Sequence, residues 1–342
     1  MSIAVKQLEP ACYWTARDVA DPETWTVHLD DSDIAEINQA VAAARPQIDD
    51  LLSVTRDHFP LPTLGKKLKA VEEELINGRG FCLISGLPRD KYTNDEMCLI
   101  YWGVGMHLGL PWPQNKYGHL LGDVTDHGKS ADDPEARGYQ LGGAALPFHT
   151  DGSDLVGLLC LNDGASGGES AICNAVAVYN DFVKEAPELA AELFKPQPYD
   201  FRGEQPAGGK GWYQVPVFTA HQDRLFVRYI PPYIYASQRH EDAPRLTETA
   251  LKAMERLNEM IADPQYHVYM KMQPGDMQFV NNYHVLHARK EYTDDKDAGK
   301  VRHLKRLWLE TATLTDRPIW FQRSDMNHWG DKKVISRMDA AQ

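Results

Sequence analysis

From about Leu146 onward the chain is cut into short runs that leave little room for anything but a sheet. "LVGLLCL", "GGESAIC", "YQVPVF", "DRLFVRYI", "YHVYMKM", "GDMQFVNN" and "RHLKRLWLET" are each four to ten residues long and are separated by Gly, Pro and Asn. Runs of this length, with turn formers between them, are the pattern of antiparallel strands in a sandwich or jelly roll. Two helices interrupt the series, expected over Val176–Phe194 and Thr247–Ile261. The stretch before Leu146 has a different period. "DSDIAEINQAVAAARPQIDDLLSV" carries apolar residues at helical spacing behind an acidic start. "TLGKKLKAVEEELINGRG" opens at Thr63 and runs out at Gly78, and "NDEMCLIYWGVGMHLG" is expected to follow an Asn94 cap. Between the last two, "GFCLISGLP" reads as a short buried strand. Helices and strands are thus largely segregated, the α+β arrangement of a jelly-roll core wrapped by helices.

No internal repeat, low-complexity tract or Gly/Ser linker marks a boundary, and 342 residues at 43% hydrophobic can bury one large core. The expectation is a single domain over 1–342, largely helical over 1–110, with the jelly roll over 111–320. Charge narrows the partners. A formal net charge of −13 repels a phosphate backbone, and no basic stripe interleaved with aromatics offsets it, so nucleic acid is not expected as a partner. No uncharged apolar run reaches the ~18 residues of a membrane span, and "MSIAVKQLEPACYW" lacks the layout of a signal peptide, so a cytoplasmic protein with no membrane partner is expected. Cys12, Cys82, Cys98, Cys160 and Cys173 are scattered with no CxxC pair, as expected of small core residues in a reducing compartment. A homo-oligomer is left open.

Four His-x-Asp spacings occur: His28/Asp30, His149/Asp151, His221/Asp223 and His240/Asp242. With 13 His and 49 acidic residues in 342, about two His-x-acid pairs arise from composition alone, so context must sort them. Asp223 falls at a turn between "VPVF" and "LFVRYI", Asp242 in a loop before a proline and a helix, and Asp30 in the solvated start of the first helix. His149 and Asp151 differ, lying between "AALPF" and a run that must be buried. Residues i and i+2 of extended chain point to one side, so the two side chains converge at the lip of the sheet. A metal needs a third ligand, and His287 in "GDMQFVNNYHVLHAR" is the best candidate. Two imidazoles and a carboxylate on one face, with the opposite positions open, form the facial triad of non-haem Fe(II) oxygenases.

"FHTD", "SGGES", "GDMQFVNNYHVLHAR" and "RHLKRLWL", in that order over roughly residues 80–310, resemble the Fe(II)/2-oxoglutarate-dependent dioxygenases of the taurine/2,4-D dioxygenase (TauD/TfdA) type, particularly the branch of clavaminate synthase and γ-butyrobetaine hydroxylase. The resemblance implies a double-stranded β-helix with iron on His149, Asp151 and His287. It also implies 2-oxoglutarate as cosubstrate, its far carboxylate held by Arg302, fifteen residues beyond His287, with Ser170 of "GGES" as the hydroxyl partner. A guanidinium suits that place because it is always charged and bonds in a planar fork. Ser170 departs from the more usual Thr. Arg306 is four residues after Arg302, so on a strand it shares that face, and the branch implies that it holds a substrate carboxylate. Residues 110–128 resemble the substrate-side loop, with Gln114 and Asn115 as substrate candidates. Arg228, a charge inside "LFVRYI", asks for a buried partner and is a further candidate.

The implied reaction consumes O2, releases succinate and CO2, and hydroxylates an unactivated C–H of a small amino-acid-like or carboxylate-bearing molecule. Desaturation or oxidative cyclisation by the same oxidant stands as the alternative. Asp151 keeps the carboxylate that halogenases of the wider superfamily replace, which argues against halogenation. A different-class reading, a metal-binding jelly roll without oxygenase activity, has no need of Arg302, and a closed zinc site would require a fourth ligand that the sequence does not show.

Overall fold

The computed structural model describes residues 7–8, 12–129, 133 and 135–321, together with the backbone of 334–335. Two sheets face one another. In the larger, the strands lie in the spatial order Thr26–His28, Phe81–Ser85, Met277–Asn281, Leu155–Asn162, His303–Glu310, His119–Val124 and Val334–Ile335, and Leu110–Pro111 pairs with the end of His303–Glu310. The smaller has the order His267–Met270, Ser170–Asn174, Val285–Arg289, Leu146–His149. Neighbours are antiparallel except at the Thr26–His28 and Val334–Ile335 edges, which pair parallel.

Alternation along each strand decides which residues meet between the sheets. On Leu155–Asn162, Val156 and Cys160 face the smaller sheet, whereas Leu155, Leu159 and Leu161 face the helices. On His303–Glu310, Leu304 and Trp308 turn inward and Leu307 and Leu309 outward. From the smaller sheet, Ile172, Met270 and Val285 complete the inner layer. Outside the larger sheet pack the helices Asp31–Ala44, Leu64–Asn77 and Asn94–Leu108. Outside the smaller sheet pack Ala175–Glu185 and Glu248–Ala262, covering Cys173 and Leu286. This is the expected α+β fold, a jelly roll wrapped by helices. All five cysteines are buried and free, and no described helix is long and apolar enough to cross a membrane.

The helix ends correct several sequence expectations. The third helix starts at Asn94, but its cap is Thr93, which exchanges hydrogen bonds with Glu96 in a capping box. Helix Leu64–Asn77 receives no cap from Thr63; the Glu36 carboxylate of the first helix accepts the N–H groups of Thr63 and Leu64 at 2.7 and 2.9 Å. The helix expected over Val176–Phe194 is two, Ala175–Glu185 and Pro187–Glu192, because Pro187 cannot donate to the preceding turn and Ala186 adopts a non-helical conformation. "YQVPVF" likewise divides at Pro216 into Trp212–Pro216 and Phe218–His221, which pair with different partners. Residues 110–128, expected as a loop, contain His119–Val124, a strand of the larger sheet.

Phe279 is fully buried on the outward face of Met277–Asn281, its ring 6.1 Å from that of Tyr101 on the third helix. Truncating it leaves a cavity between helix and sheet, so Phe279→Ala should cost about 3–5 kcal/mol in urea unfolding, with the denaturant slope unchanged.

Candidate metal centre

The smaller sheet brings the triad together through register. Val285–Arg289 runs antiparallel to Leu146–His149 with His287 directly opposite His149, and their rings lie 4.3 Å apart. Asp151 follows two residues beyond His149, and its Oδ2 is 3.8 Å from His287 Nε2. One ligand atom from each of the three residues lies within 4.8 Å of the others, and among the described residues this is the one group of three or more His, Cys, Asp and Glu so arranged. His149 Nδ1 faces the Pro147 carbonyl at 2.9 Å, which fixes the ring and leaves Nε2 for the site. His287 Nδ1 has no hydrogen-bond partner among the described residues.

Asp151 is held from several sides. Its N–H donates to Asn282 Oδ1 at 3.1 Å and its carbonyl accepts from Arg228 Nη1 at 2.6 Å. Its carboxylate accepts from Trp308 Nε1 at 3.1 Å, with Arg306 Nη1 3.5 Å away. Asn282 also donates to the Ser153 carbonyl, so one side chain clamps the whole turn after the triad aspartate. Burial pushes the Asp151 carboxyl up, but Arg306 and the two imidazoles outweigh it, and the net shift is downward. Burial, with a contribution from His287, lowers His149 to about 4. At neutral pH the site therefore presents an anionic carboxylate and a neutral imidazole, the forms a cation needs.

Deeper between the sheets lies a cavity lined by His149, Asp151, His287, Ser170, Arg289, Arg302 and Arg306, with Val124, Leu146, Val156, Leu158 and Val280 as apolar wall. Arg302 and Arg306 share this face, as the strand period predicts. Arg302 is buried, its Nη1 makes no hydrogen bond to any described residue, and its guanidinium stacks over Tyr292 at 5.1 Å. Burial and neighbouring Arg289 lower it to about 10, so it stays charged at neutral pH. A buried, charged and incompletely bonded guanidinium is a site for an anion. Gly168 of "GGES" (φ +76°) makes room for it, since a Cβ there would fall 2.9 Å from Arg302 Nε. The donor set suits a divalent cation, and the cavity suits a dicarboxylate behind it.

Arg289 is the residue that sequence reasoning missed. It is buried beside Arg302, opposite Ser170 in the sheet, and Nη2 donates to the carbonyls of Gly142 and Ala144 at 3.1 and 2.5 Å. The signal was available, because Arg289 stands two residues after His287 and so must share its face.

Two substrate candidates, Gln114 and Asn115, lie outside the lining of both this cavity and the one in front of it. Gln114 donates through Nε2 to the carbonyls of Leu120 and Arg306 and accepts through Oε1 from Arg306 Nε at 2.7 Å, so it positions Arg306. Asn115 caps its own turn, accepting from Tyr117 N–H and contacting His119 Nδ1 at 3.0 Å. Arg228 has half-buried polar partners, the Asp151 carbonyl and the Tyr213 hydroxyl, and lines a second cavity in front of the first. The other His-x-Asp pairs are structural: Asp30 caps the first helix, Asp223 sits in the turn between Phe218–His221 and Arg224–Val227, and Asp242 accepts from Trp212 Nε1.

Fold and donor set together define a non-haem iron oxygenase of the jelly-roll class. Residues 47–308 match the taurine catabolism dioxygenase TauD, TfdA family, and the chain belongs to that family. It is an Fe(II)- and 2-oxoglutarate-dependent dioxygenase that uses O2. It is 32% identical over 335 residues to the FR-33289 synthase of Streptomyces rubellomurinus, covering 97% of this chain and 98% of that one. Its fold is similar to that of an asparagine oxygenase in complex with Fe(II), 2S,3S-3-hydroxyasparagine and succinate (TM-score 0.63, 20% identity, 84% of this chain and 94% of that one). It is also similar to that of the non-haem iron oxygenase OrfP in complex with Fe and α-ketoglutaric acid (TM-score 0.60, 16% identity, 83% and 94%).

His149→Ala and His287→Ala should each abolish stoichiometric Fe(II) binding by the folded protein, whereas His221→Ala and His240→Ala should retain it. Anaerobic metal titrations check this, and stoichiometric binding retained in either triad variant would contradict it.

Proposed function

We propose that His149, Asp151 and His287 hold the iron, that Arg302 and Ser170 hold the far carboxylate of 2-oxoglutarate with Arg289 beside them, and that the enzyme hydroxylates a small amino-acid-like or carboxylate-bearing molecule. The observation that carries this assignment is the buried Arg302 guanidinium, with Nη1 lacking a partner among the described residues, in the same cavity as the three ligands. A non-oxygenase metal site would have no use for that buried charge. The whole chain is assigned to one dioxygenase domain, since Thr26–His28 and Phe81–Ser85 of the N-terminal part are strands of the larger sheet. Five buried free thiols support a cytoplasmic location, and the net charge of −13 supports a small-molecule partner over nucleic acid.

When bound, iron and 2-oxoglutarate supply an oxidant from O2 that takes hydrogen from a C–H bond, with succinate and CO2 as co-products. The chain's own work is geometric. Trp308 and Arg306 orient the Asp151 carboxylate, and Asn282 and Arg228 fix its backbone. Pro147 sets the His149 ring. Val156, Leu158 and Val280 keep water from the inner cavity. The front cavity, lined by residues from 136–147, 228–233 and the ends of the triad, opens on the same Asp151 and His149 and receives the substrate. Arg306 lines both cavities and so lies between cosubstrate and substrate.

Losing one partner of a buried charge pair costs about 2–5 kcal/mol, so Arg302→Ala should weaken 2-oxoglutarate binding by roughly 30- to 5000-fold. Iron binding should be retained. Succinate formation with excess 2-oxoglutarate, stimulated when amino acids and small carboxylates are screened as substrates, checks the assignment. Parent-like cosubstrate affinity in Arg302→Ala would refute the role of Arg302.

A further inference from the structure

Arg289 touches both halves of the site. It is buried and lines the inner cavity, where Asp151 is the one carboxylate among the described lining residues. Its Nε has no hydrogen-bond partner among the described residues. The Arg289 and Arg302 guanidiniums lie 4.7 and 5.1 Å from the centre of the Tyr292 ring, so two like charges share one platform. Burying the second of them with a donor unused is unfavourable unless an anion takes up that donor. In the other direction Arg289 Nη2 donates to the carbonyls of Gly142 and Ala144. These belong to the segment 136–147, which forms one wall of the front cavity.

The base under this wall is firm. Lys290 N–H donates to the Glu169 carbonyl at 3.0 Å, and Gly168 and Ala165 N–H donate to the carbonyls of Glu291 and Thr293 at 2.9 Å, so 290–293 is tied to the run that leads into Ser170. The wall is held more lightly. Ala144, Ala145 and Pro147 are exposed, and Gly138, Gly142 and Gly143 have no side chains to bury. A segment with few buried apolar contacts opens at low cost. Tyr292 N–H donates to the Gly143 carbonyl at 2.8 Å, an approach so close that a Cβ on Gly143 would fall 2.3 Å from the Tyr292 carbonyl oxygen. Among the described residues, two of the three hydrogen bonds that seat Gly142, Gly143 and Ala144 on the base therefore come from Arg289.

We propose that Arg289 is a positioning residue that couples the two cavities: its Nε donates to the far carboxylate of 2-oxoglutarate beside Arg302, and its Nη2 then holds 142–144 in place, so that the substrate-side wall is ordered by the cosubstrate. This rests on the assignment of the inner cavity to 2-oxoglutarate. A guanidinium can do both at once because its donors point along different edges of one rigid plane. A ligand orders a segment only by binding the ordered state better. Here the difference comes from charge, since Arg289 and Arg302 repel each other over Tyr292 until a carboxylate lies between them.

The test follows hydrogen–deuterium exchange over 136–147 in the full chain, kept anaerobic with Fe(II), with and without saturating 2-oxoglutarate. Calorimetry first measures how tightly each protein binds the cosubstrate. In the parent, 2-oxoglutarate should slow exchange of this segment by about tenfold or more, while helix Leu64–Asn77 is unaffected. Arg289→Met should lose the slowing even at concentrations that saturate it. Gly143→Ala leaves Arg289 in place but lifts the wall from its base, so it should lose the slowing too, and by reciprocity its 2-oxoglutarate affinity should fall by no more than about tenfold. That variant decides the matter if Arg289→Met does not fold. Parent exchange that is the same with and without 2-oxoglutarate, the result of a merely structural Arg289, overturns the proposal, as does slowing retained in either variant. A parent protein that binds no 2-oxoglutarate in the calorimeter would remove the underlying assignment, and the proposal with it.

Discussion

Two antiparallel strands, Leu146–His149 and Val285–Arg289, pair so that His149 and His287 stand opposite each other, and that register fixes the rest of the site. Side chains alternate along a strand, so Val285, His287 and Arg289 must all point between the sheets once one of them does. Val285 enters the inner core, His287 meets His149 and Asp151, and Arg289 reaches the inner cavity. A slip of one residue would send Leu286 inward and turn the histidine toward the helices. Leu286 is buried against Ala175–Glu185 and Glu248–Ala262, so the hydrophobic packing of the outer layer enforces the register on which the proposed iron site depends.

The facing sheet supplies the complementary charges by the same rule. Leu304, Arg306 and Trp308 share the inward face of His303–Glu310, and Arg302 joins them just before the strand begins. One run thus gives a core contact, the arginine assigned to the cosubstrate, a residue between the two cavities and the indole that holds Asp151. Burying several guanidiniums is costly unless each finds an acceptor, and the described residues supply these unevenly. Arg228 and Arg306 are bonded to protein groups, while Arg302 keeps a donor in reserve. That unevenness separates the arginines that shape the site from the one assigned to hold the cosubstrate.

Much of this was legible in the sequence because period-two patterning is local. The strands around Leu155, Ser170, Met277 and His303 carry enough apolar residues to be recognised, and the ordered motifs pointed to His149, Asp151, His287 and Arg302. What escaped was set by tertiary pairing. His119–Val124 reads as loop because Gly118 and Gly122 interrupt it, yet it joins the larger sheet by pairing with His303–Glu310. Gln114 and Asn115 looked like ligands because polar residues in a loop suggest contact with solvent or substrate. They are buried instead, one bonded to Arg306 and the other to its own turn. The basic front cavity draws on Arg137, Arg202, Arg228 and Arg306, which are far apart in sequence and share no pattern.

The central claim is that one inward face holds iron and cosubstrate together, and a crystal structure of the anaerobic Fe(II)–2-oxoglutarate complex tests it most directly. The account predicts a single metal bound by His149, Asp151 and His287, with the far carboxylate of 2-oxoglutarate paired to Arg302 in the inner cavity. Metal bound without His287, or the far carboxylate resting on Arg306 or in the front cavity, would contradict it.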